Sequence, residues 1–267
     1  MAPSKKRGRK PAAAAAETNT DADGEELIQE SATTPKSNSN SNKRRKSSEL
    51  GEGNGDASPT ESSVQPVIVF AHGAGANSKH EWMVRWKQLL AKTTKAVEVI
   101  TFDYPYLAGG KKGAPPKAEK LIDPHVAQVV KAMKKHPGHP VVLVGKSMGS
   151  RVGCMVAGQE DSNVAAVVCL GYPLKGMNGK IREETLMELK APVLFVQGTK
   201  DSMCPLEKLE QVRRKIPVQN ELYTIEGGDH GFKVGAAALK KSFLTHAEME
   251  QKAADAIQAF LKRVLSS

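Results

Sequence analysis

Val141-Val142-Leu143-Val144-Gly145-Lys146-Ser147-Met148-Gly149-Ser150-Arg151-Val152-Gly153 is the stretch on which the reading of this chain turns. Its first four residues are apolar without alternation, the pattern of a parallel strand covered on both faces. Residues 145–149 then follow the G-x-S-x-G spacing. That spacing puts Ser147 on a tight, strained turn between strand and helix, and the flanking glycines Gly145 and Gly149 let neighbouring backbone approach without a Cβ clash. A helix beginning near Met148 aims its first backbone N–H groups at negative charge. A glycine-rich turn with a capping serine is spelled the same way. The apolar run before the motif and the helical stretch after it supply the context a nucleophile requires.

Five more short runs rich in Val, Ile and Leu lie on either side, at 67–71, 97–102, 164–170, 193–196 and 221–225. Amphipathic or helix-rich stretches separate and follow them, at about 80–93, 118–135, 148–159, 181–190, 205–215 and 246–265. Strand then helix, six times over, predicts an α/β domain with an open, mostly parallel sheet. In such sheets chemistry gathers in the loops at the carboxyl ends of the strands.

Composition places that domain within the chain. The 267 residues are 39% hydrophobic, below the usual share of about 45%. The deficit is local, because all twelve aromatic residues lie between Phe70 and Phe260. Residues 34–63 are Ser-, Asn-, Gly- and Glu-rich, and residues 1–63 as a whole have little to bury and are expected to be disordered. The domain is therefore expected over 64–267. Residues 1–63 hold ten Lys/Arg and ten Asp/Glu, so the net charge of +10 falls on the domain. No run approaches the roughly 18 apolar residues of a membrane span. Cys154, Cys169 and Cys204 are widely spaced and make neither a disulfide framework nor a zinc pattern.

Two further loops complete a nucleophile's requirements. A serine hydroxyl needs a base, and the base needs an orienting carboxylate. The fifth run leads into GTKD, presenting Asp201, and the sixth into GGDHGF, presenting His230. Taken singly, Asp201 is as well read as a helix cap and His230 as an ordinary loop histidine. Asp229 is a rival carboxylate, although an adjacent residue usually points away. The chain order Ser147, Asp201, His230, each after a strand, favours the joint reading. The first run ends in His72-Gly73-Ala74-Gly75-Ala76, a small-residue loop suited to donating one oxyanion-hole N–H, with Met148 donating the other. Ala74, or else Gly75, is the loop donor. His72 is expected to brace that loop, Cys204 to be structural, and the 102–106 stretch to shape the pocket.

HGAGA, GKSMGS, GTKD and GGDHGF together resemble the α/β-hydrolase superfamily over about residues 64–267. Dienelactone hydrolases look similar, including the ending around His230. The pairing of HGAGA with GKSMGSR is closer still to the hydrolase-like family that includes testis-expressed protein 30 and the third subunit of the NSL histone-acetylation complex. The resemblance implies a three-layer fold; as a departure from it, the first run here already carries the HGAGA loop, so the two amino-terminal strands common in the superfamily are expected to be absent and the strand order to be second, first, third, fourth, fifth, sixth. Only residues 171–191 separate the fourth and fifth runs, too few for a cap domain, so an open site is expected.

Two basic clusters, residues 4–11 and 43–46, read as nuclear import signals. Arg7, Gly8 and Arg9 also resemble an AT-hook, whose Arg-Gly-Arg enters the narrow minor groove of A·T-rich DNA, weakly and with strong salt dependence. Lys10 stands where AT-hooks carry proline. Three readings follow, the last being an AT-hook DNA binder with an incidental domain. The first is a serine hydrolase, nuclear or nucleocytoplasmic, acting on a small ester or thioester without metal or cofactor. The second is a non-catalytic hydrolase-fold scaffold with chromatin-complex partners.

Overall fold

The computed structural model describes residues 64–111, 113–176 and 178–266. The expected tail and the Arg7, Gly8, Arg9 arm lie outside the described residues. Six strands, β1 (Val67–Ala71), β2 (Glu98–Phe102), β3 (Val141–Lys146), β4 (Val164–Leu170), β5 (Val193–Gly198) and β6 (Asn220–Ile225), form one parallel sheet in the order β2-β1-β3-β4-β5-β6. Seven helices accompany them: α1 (Glu81–Thr94), α2 (Ile122–Lys135), α3 (Met148–Ala157), α4 (Glu184–Met187), α5 (Leu206–Arg213), α6 (Ala236–Ser242) and α7 (His246–Leu265). This is the three-layer α/β-hydrolase arrangement.

The four inner strands β1, β3, β4 and β5 carry almost no polar residues because both faces are covered, whereas the edge strands β2 and β6 are only partly buried. Successive side chains alternate between two layers. Ile68, Phe70, Val142, Val144, Ala166, Val168, Leu194 and Val196 pack with Trp86 and Leu90 of α1 and with Ala253, Ile257 and Phe260 of α7. The intervening Val67, Val69, Val141 and Leu143 pack with Val129 of α2 and with Val152 and Val156 of α3. Val167, Val193 and Phe195 face Leu186 of α4 and Leu209 of α5. Arg85 and Trp86 tie α1 to α7 through Glu250, at 2.8 Å from the Arg85 Nε and 3.1 Å from the Trp86 indole nitrogen.

Three local differences from the sequence expectation have physical causes. The helix over 118–135 starts as a 3-10 turn at Ala118–Leu121. Pro124 has no N–H to give the Lys120 carbonyl, so α-helical bonding cannot extend further back. The helix expected over 181–190 is only the single turn α4. An isolated antiparallel bridge from Lys175 to Ile181, and a bond from Arg182 N–H to the Leu174 carbonyl, keep the preceding chain extended. Tyr172, Leu174, Leu186 and Leu189 bury themselves under this connection, so it packs down against the sheet instead of over the carboxyl ends. Finally, α6 was not expected: Ala236–Ser242 buries no residue, so no apolar stripe marks it.

Candidate active site

The chain reverses direction across the sheet between β1 and β3, where open α/β sheets form a crevice. Register sets Ala71 beside Gly145, so His72-Gly73 emerges next to Lys146-Ser147. A Cβ on Gly73 would lie 3.5 Å from Ser147 Cβ, which places the small-residue loop against the serine.

The turn at Ser147 is strained. Its φ is 50° and its ψ −114°, a conformation an L-residue occupies only when its surroundings enforce it. The enforcement is close packing. A Cβ on Gly145 would come within 2.2 Å of Ser150 N, and one on Gly149 within 2.6 Å of the Ala71 and His72 carbonyl oxygens. The Ser147 N–H is tied to the Leu170 carbonyl at 3.0 Å. Although Ser147 precedes α3, its hydroxyl makes no capping bond. It lies 2.8 Å from His230 Nε2 instead. Met148 is the first helical residue, and its N–H has no acceptor within the helix.

His230 reaches Ser147 from β6, three strands away, a distance of about 14 Å at the usual strand spacing. The loop must cross the ends of β5 and β4. It does so over two residues without side chains. A Cβ on Gly198 would meet the Gly228 carbonyl at 2.3 Å, and one on Gly171 the His230 carbonyl at 3.2 Å. Sequence reasoning missed these two glycines, although Gly171 directly follows the apolar run of β4 and Gly198 stands one residue past that of β5.

His230 Nδ1 is 2.7 Å from Asp201 Oδ2. The same oxygen accepts from Gln197 Nε2 at 2.5 Å, and Oδ1 accepts from the Met203 N–H at 2.8 Å. Burial pushes the Asp201 carboxyl up, but His230, Met203 and Gln197 together outweigh it and hold the carboxyl below its ordinary range. Asp201 does not cap α5, whose N-cap is Pro205. Its neighbour in rivalry, Asp229, turns away: Asp229 Oδ1 accepts from the Gly231 and Lys233 N–H groups at 2.8 and 2.9 Å. Gln197 was missed, since a glutamine within an apolar strand carries no distinguishing mark.

His72 is fully buried, and both ring nitrogens serve backbone. Nε2 accepts from the Tyr104 N–H at 3.0 Å, so Nδ1 carries the proton and donates to the Gly73 carbonyl at 2.6 Å. Burial pulls its pKa below the ordinary value, against the Gly73 carbonyl and Asp103. The Tyr106 hydroxyl donates to the Ala74 carbonyl at 3.0 Å, and Asp103 accepts from the Ser78 N–H at 2.7 Å. The 102–106 stretch thus braces the loop after β1. In a trans peptide the carbonyl and the next N–H point oppositely. Anchoring the Gly73 carbonyl on His72 therefore turns the Ala74 N–H to the other side. Cys204 is buried, and burial followed by nearby Asp201 pushes its thiol up to about 12, leaving no thiolate. No group of three or more His, Cys, Asp or Glu among the described residues could hold a metal ion. No helix among them is long and apolar enough to cross a membrane.

A strained serine after β3, with the turn, switch point and parallel sheet around it, defines a hydrolase-type fold. The chain belongs to the alpha/beta hydrolase domain family, which matches residues 64–262. Three solved structures are similar. An alpha-beta serine hydrolase homologue from Coxiella burnetii has a TM-score of 0.56 at 15% identity, covering 71% of this chain and 83% of that one. Dienelactone hydrolase from Anabaena variabilis has a TM-score of 0.53 at 18% identity, covering 72% and 86%. Est1E from Butyrivibrio proteoclasticus, with ferulic acid bound, has a TM-score of 0.54 at 18% identity, covering 78% and 93%. At these identities the likeness is one of fold.

Proposed function

We propose that this protein is a serine hydrolase acting on a small ester, thioester or similar acyl compound. The observation that carries the reading is the continuous pair of hydrogen bonds from Ser147 through His230 to Asp201, at 2.8 and 2.7 Å. In the resting state the Ser147 hydroxyl donates to His230 Nε2 and Nδ1–H donates to Asp201. As Ser147 Oγ attacks the acyl carbon, its proton passes to Nε2, and Asp201 stabilises the imidazolium without taking the proton. The carbonyl oxygen becomes an oxyanion, received by the N–H groups of Met148 and Ala74. One such donor is worth about 2.7–4 kcal/mol of barrier. His230 returns the proton to the leaving alcohol or thiol, and an acyl-enzyme remains. Water then repeats the cycle, giving its proton to His230, and the acid departs with Ser147 restored.

The short connection between β4 and β5 packs downward, which supports small or extended substrates over a long acyl chain needing a covering cap. Within the family, HGAGA paired with GKSMGSR supports a place near the branch that includes testis-expressed protein 30. The basic clusters at 4–11 and 43–46 support nuclear import, which a fluorescent fusion with and without residues 1–63 would test.

The decisive experiment is labelling by a fluorophosphonate probe, wild type against Ser147→Ala, with turnover of short-chain nitrophenyl esters alongside. Labelling that disappears in the variant is expected. A folded wild type that neither labels nor turns over esters would sink the hydrolase reading.

A further inference from the structure

Lys146 precedes the serine in the G-x-S-x-G stretch, and the chemistry above leaves its side chain unused. A lysine at a strand end ordinarily sends its ammonium into water. This one is partly buried and folds back across the site. Its Nζ lies 5.3 Å from the Trp82 ring centroid and 5.1 Å from that of Phe232, and it donates a hydrogen bond to the backbone carbonyl of His230. The end of β4 closes the slot from below, since a Cβ on Gly171 would come within 2.9 Å of Nζ. Desolvation pulls its pKa down to about 8, with Asp201 and Asp229 opposing. Those two carboxylates and His230 are the titratable groups facing the ammonium from the loops after β5 and β6. Helix α1 presents the Trp82 ring, and β4 presents backbone.

We infer that Lys146 is a positioning residue, whose ammonium holds the His230 carbonyl and so keeps the imidazole between Ser147 and Asp201. The inference rests on the serine chemistry proposed above. Its logic is one of reach. The base loop arrives from three strands away, and a charge-assisted bond to its backbone is roughly twice as strong as a neutral one. The ring face of Trp82 adds cation–π attraction to the same ammonium. A second tie on the same loop, from the Trp82 indole N–H to the Gly231 carbonyl at 3.0 Å, leaves the His230 backbone little room to move. The residue beside the nucleophile thus fixes the base directly, along the shortest available path.

The test uses the full chain, with Lys146→Met and Lys146→Arg. The first readout needs no turnover: the low-field proton resonance of His230 Nδ1–H, which reports its bond to Asp201. In wild type we expect it to weaken with a midpoint near the lysine's own value of about 8. The sign for stability is opposite. Because burial lowers the folded value from 10.5, the unfolded chain holds the extra proton between the two values, so stability rises with pH across that window. A merely structural role would leave the resonance level across that window while stability rises. Lys146→Met should lose the resonance at neutral pH and label with fluorophosphonate about 10²-fold more slowly, as a displacement of about an ångström does, without a lower melting temperature. Lys146→Arg should regain both readouts and carry the resonance past pH 10. A resonance that stays level from pH 7 to 10 in wild type, or a Lys146→Met protein that keeps it and labels within about twofold, would overturn the inference. Should Lys146→Met not fold, the wild-type titration decides alone. Absence of labelling in folded wild type counts against the serine chemistry and leaves the resonance to judge Lys146.

Discussion

The elbow at Ser147 and the loop carrying His230 meet at two hydrogen bonds, Ser147 with His230 Nε2 and Lys146 with the His230 carbonyl, but are held by opposite means. The elbow is held by shape. Its strained φ persists because Gly145 and Gly149 are packed onto backbone at distances no Cβ could share. The base loop is held by side chains brought from elsewhere. Trp82 comes from α1, Gln197 and Asp201 from the end of β5, and Lys146 from the end of β3. Even its own Phe232, at φ 68°, is kept in place by packing against Trp82 and Trp86, with ring centroids 5.9 and 5.6 Å away. A site can thus pair a part specified by local sterics with a part specified by distant chemistry. The two should fail differently.

The largest expected difference concerns the two carboxylates of the base loop's neighbourhood. Asp201→Asn should lower kcat by about 10⁴, because an amide nitrogen facing Nδ1–H forces the wrong imidazole tautomer. Gln197 and Met203 both donate to Asp201, so the asparagine oxygen cannot serve all three partners. Asp229→Asn keeps an acceptor for the Gly231 and Lys233 N–H groups, and should stay within about threefold. Equal losses from the two variants would mean that the orienting role is wrongly placed.

On the elbow side, Gly145→Ala should cost stability before it costs chemistry. The new Cβ meets Ser150 N at 2.2 Å, and backbone must shift to admit it. About 3 kcal/mol or more is expected from such overpacking, a fall of roughly 6–12 °C in melting temperature for a domain this size. A variant that melts like wild type would show that the elbow is looser than its geometry.

This contrast also explains what was legible in the sequence. Strands β1 and β4 were readable to the residue and helix α7 closely, because burial on both faces or a long amphipathic run leaves a local pattern. The elbow was readable because steric demand writes itself into glycine spacing. The partners of the base loop were not. Gln197 looks like any strand residue, Lys146 like any surface cation and Trp82 like a core aromatic, and their roles exist only once β6 has returned across β5 and β4. The single-turn α4 was misjudged for a related reason, since the Lys175–Ile181 bridge that shortens it joins residues with no sequence signature.

Deleting one long-range tie while keeping an aromatic ring gives a smaller effect. Trp82→Phe preserves an aromatic face toward Lys146 and Phe232 but removes the indole N–H that donates to the Gly231 carbonyl. One neutral hydrogen bond contributes about 1 kcal/mol, so the labelling rate should fall by up to roughly fivefold, with a melting temperature about 2–4 °C lower. No change would mean that the bond from Trp82 to the Gly231 carbonyl does not hold the loop.

The subtlest consequence is in acid, where sterics do not titrate and charges do. The folded value of Asp201 lies below its ordinary 3.8, so its bonds contribute stability above that value and lose it as pH falls through the folded one. His125 imposes a second, global effect. Burial pulls it down to about 3, so between 6.5 and that value the unfolded chain takes up a proton the folded chain refuses, and the whole domain weakens as pH falls. Native-state hydrogen exchange at pH 3 against pH 6 separates the two. Once rates are corrected for intrinsic acid dependence, the elbow amides, Ser147 bonded to Leu170 and Ser150 bonded to Ser147, should lose only the global share. The loop amides, Lys200 bonded to Gly228 and Phe232 bonded to Asp229, should lose about threefold more protection than that. Equal losses in both regions would mean that the base loop opens only with the whole domain, and that its charges set its geometry without setting its local stability.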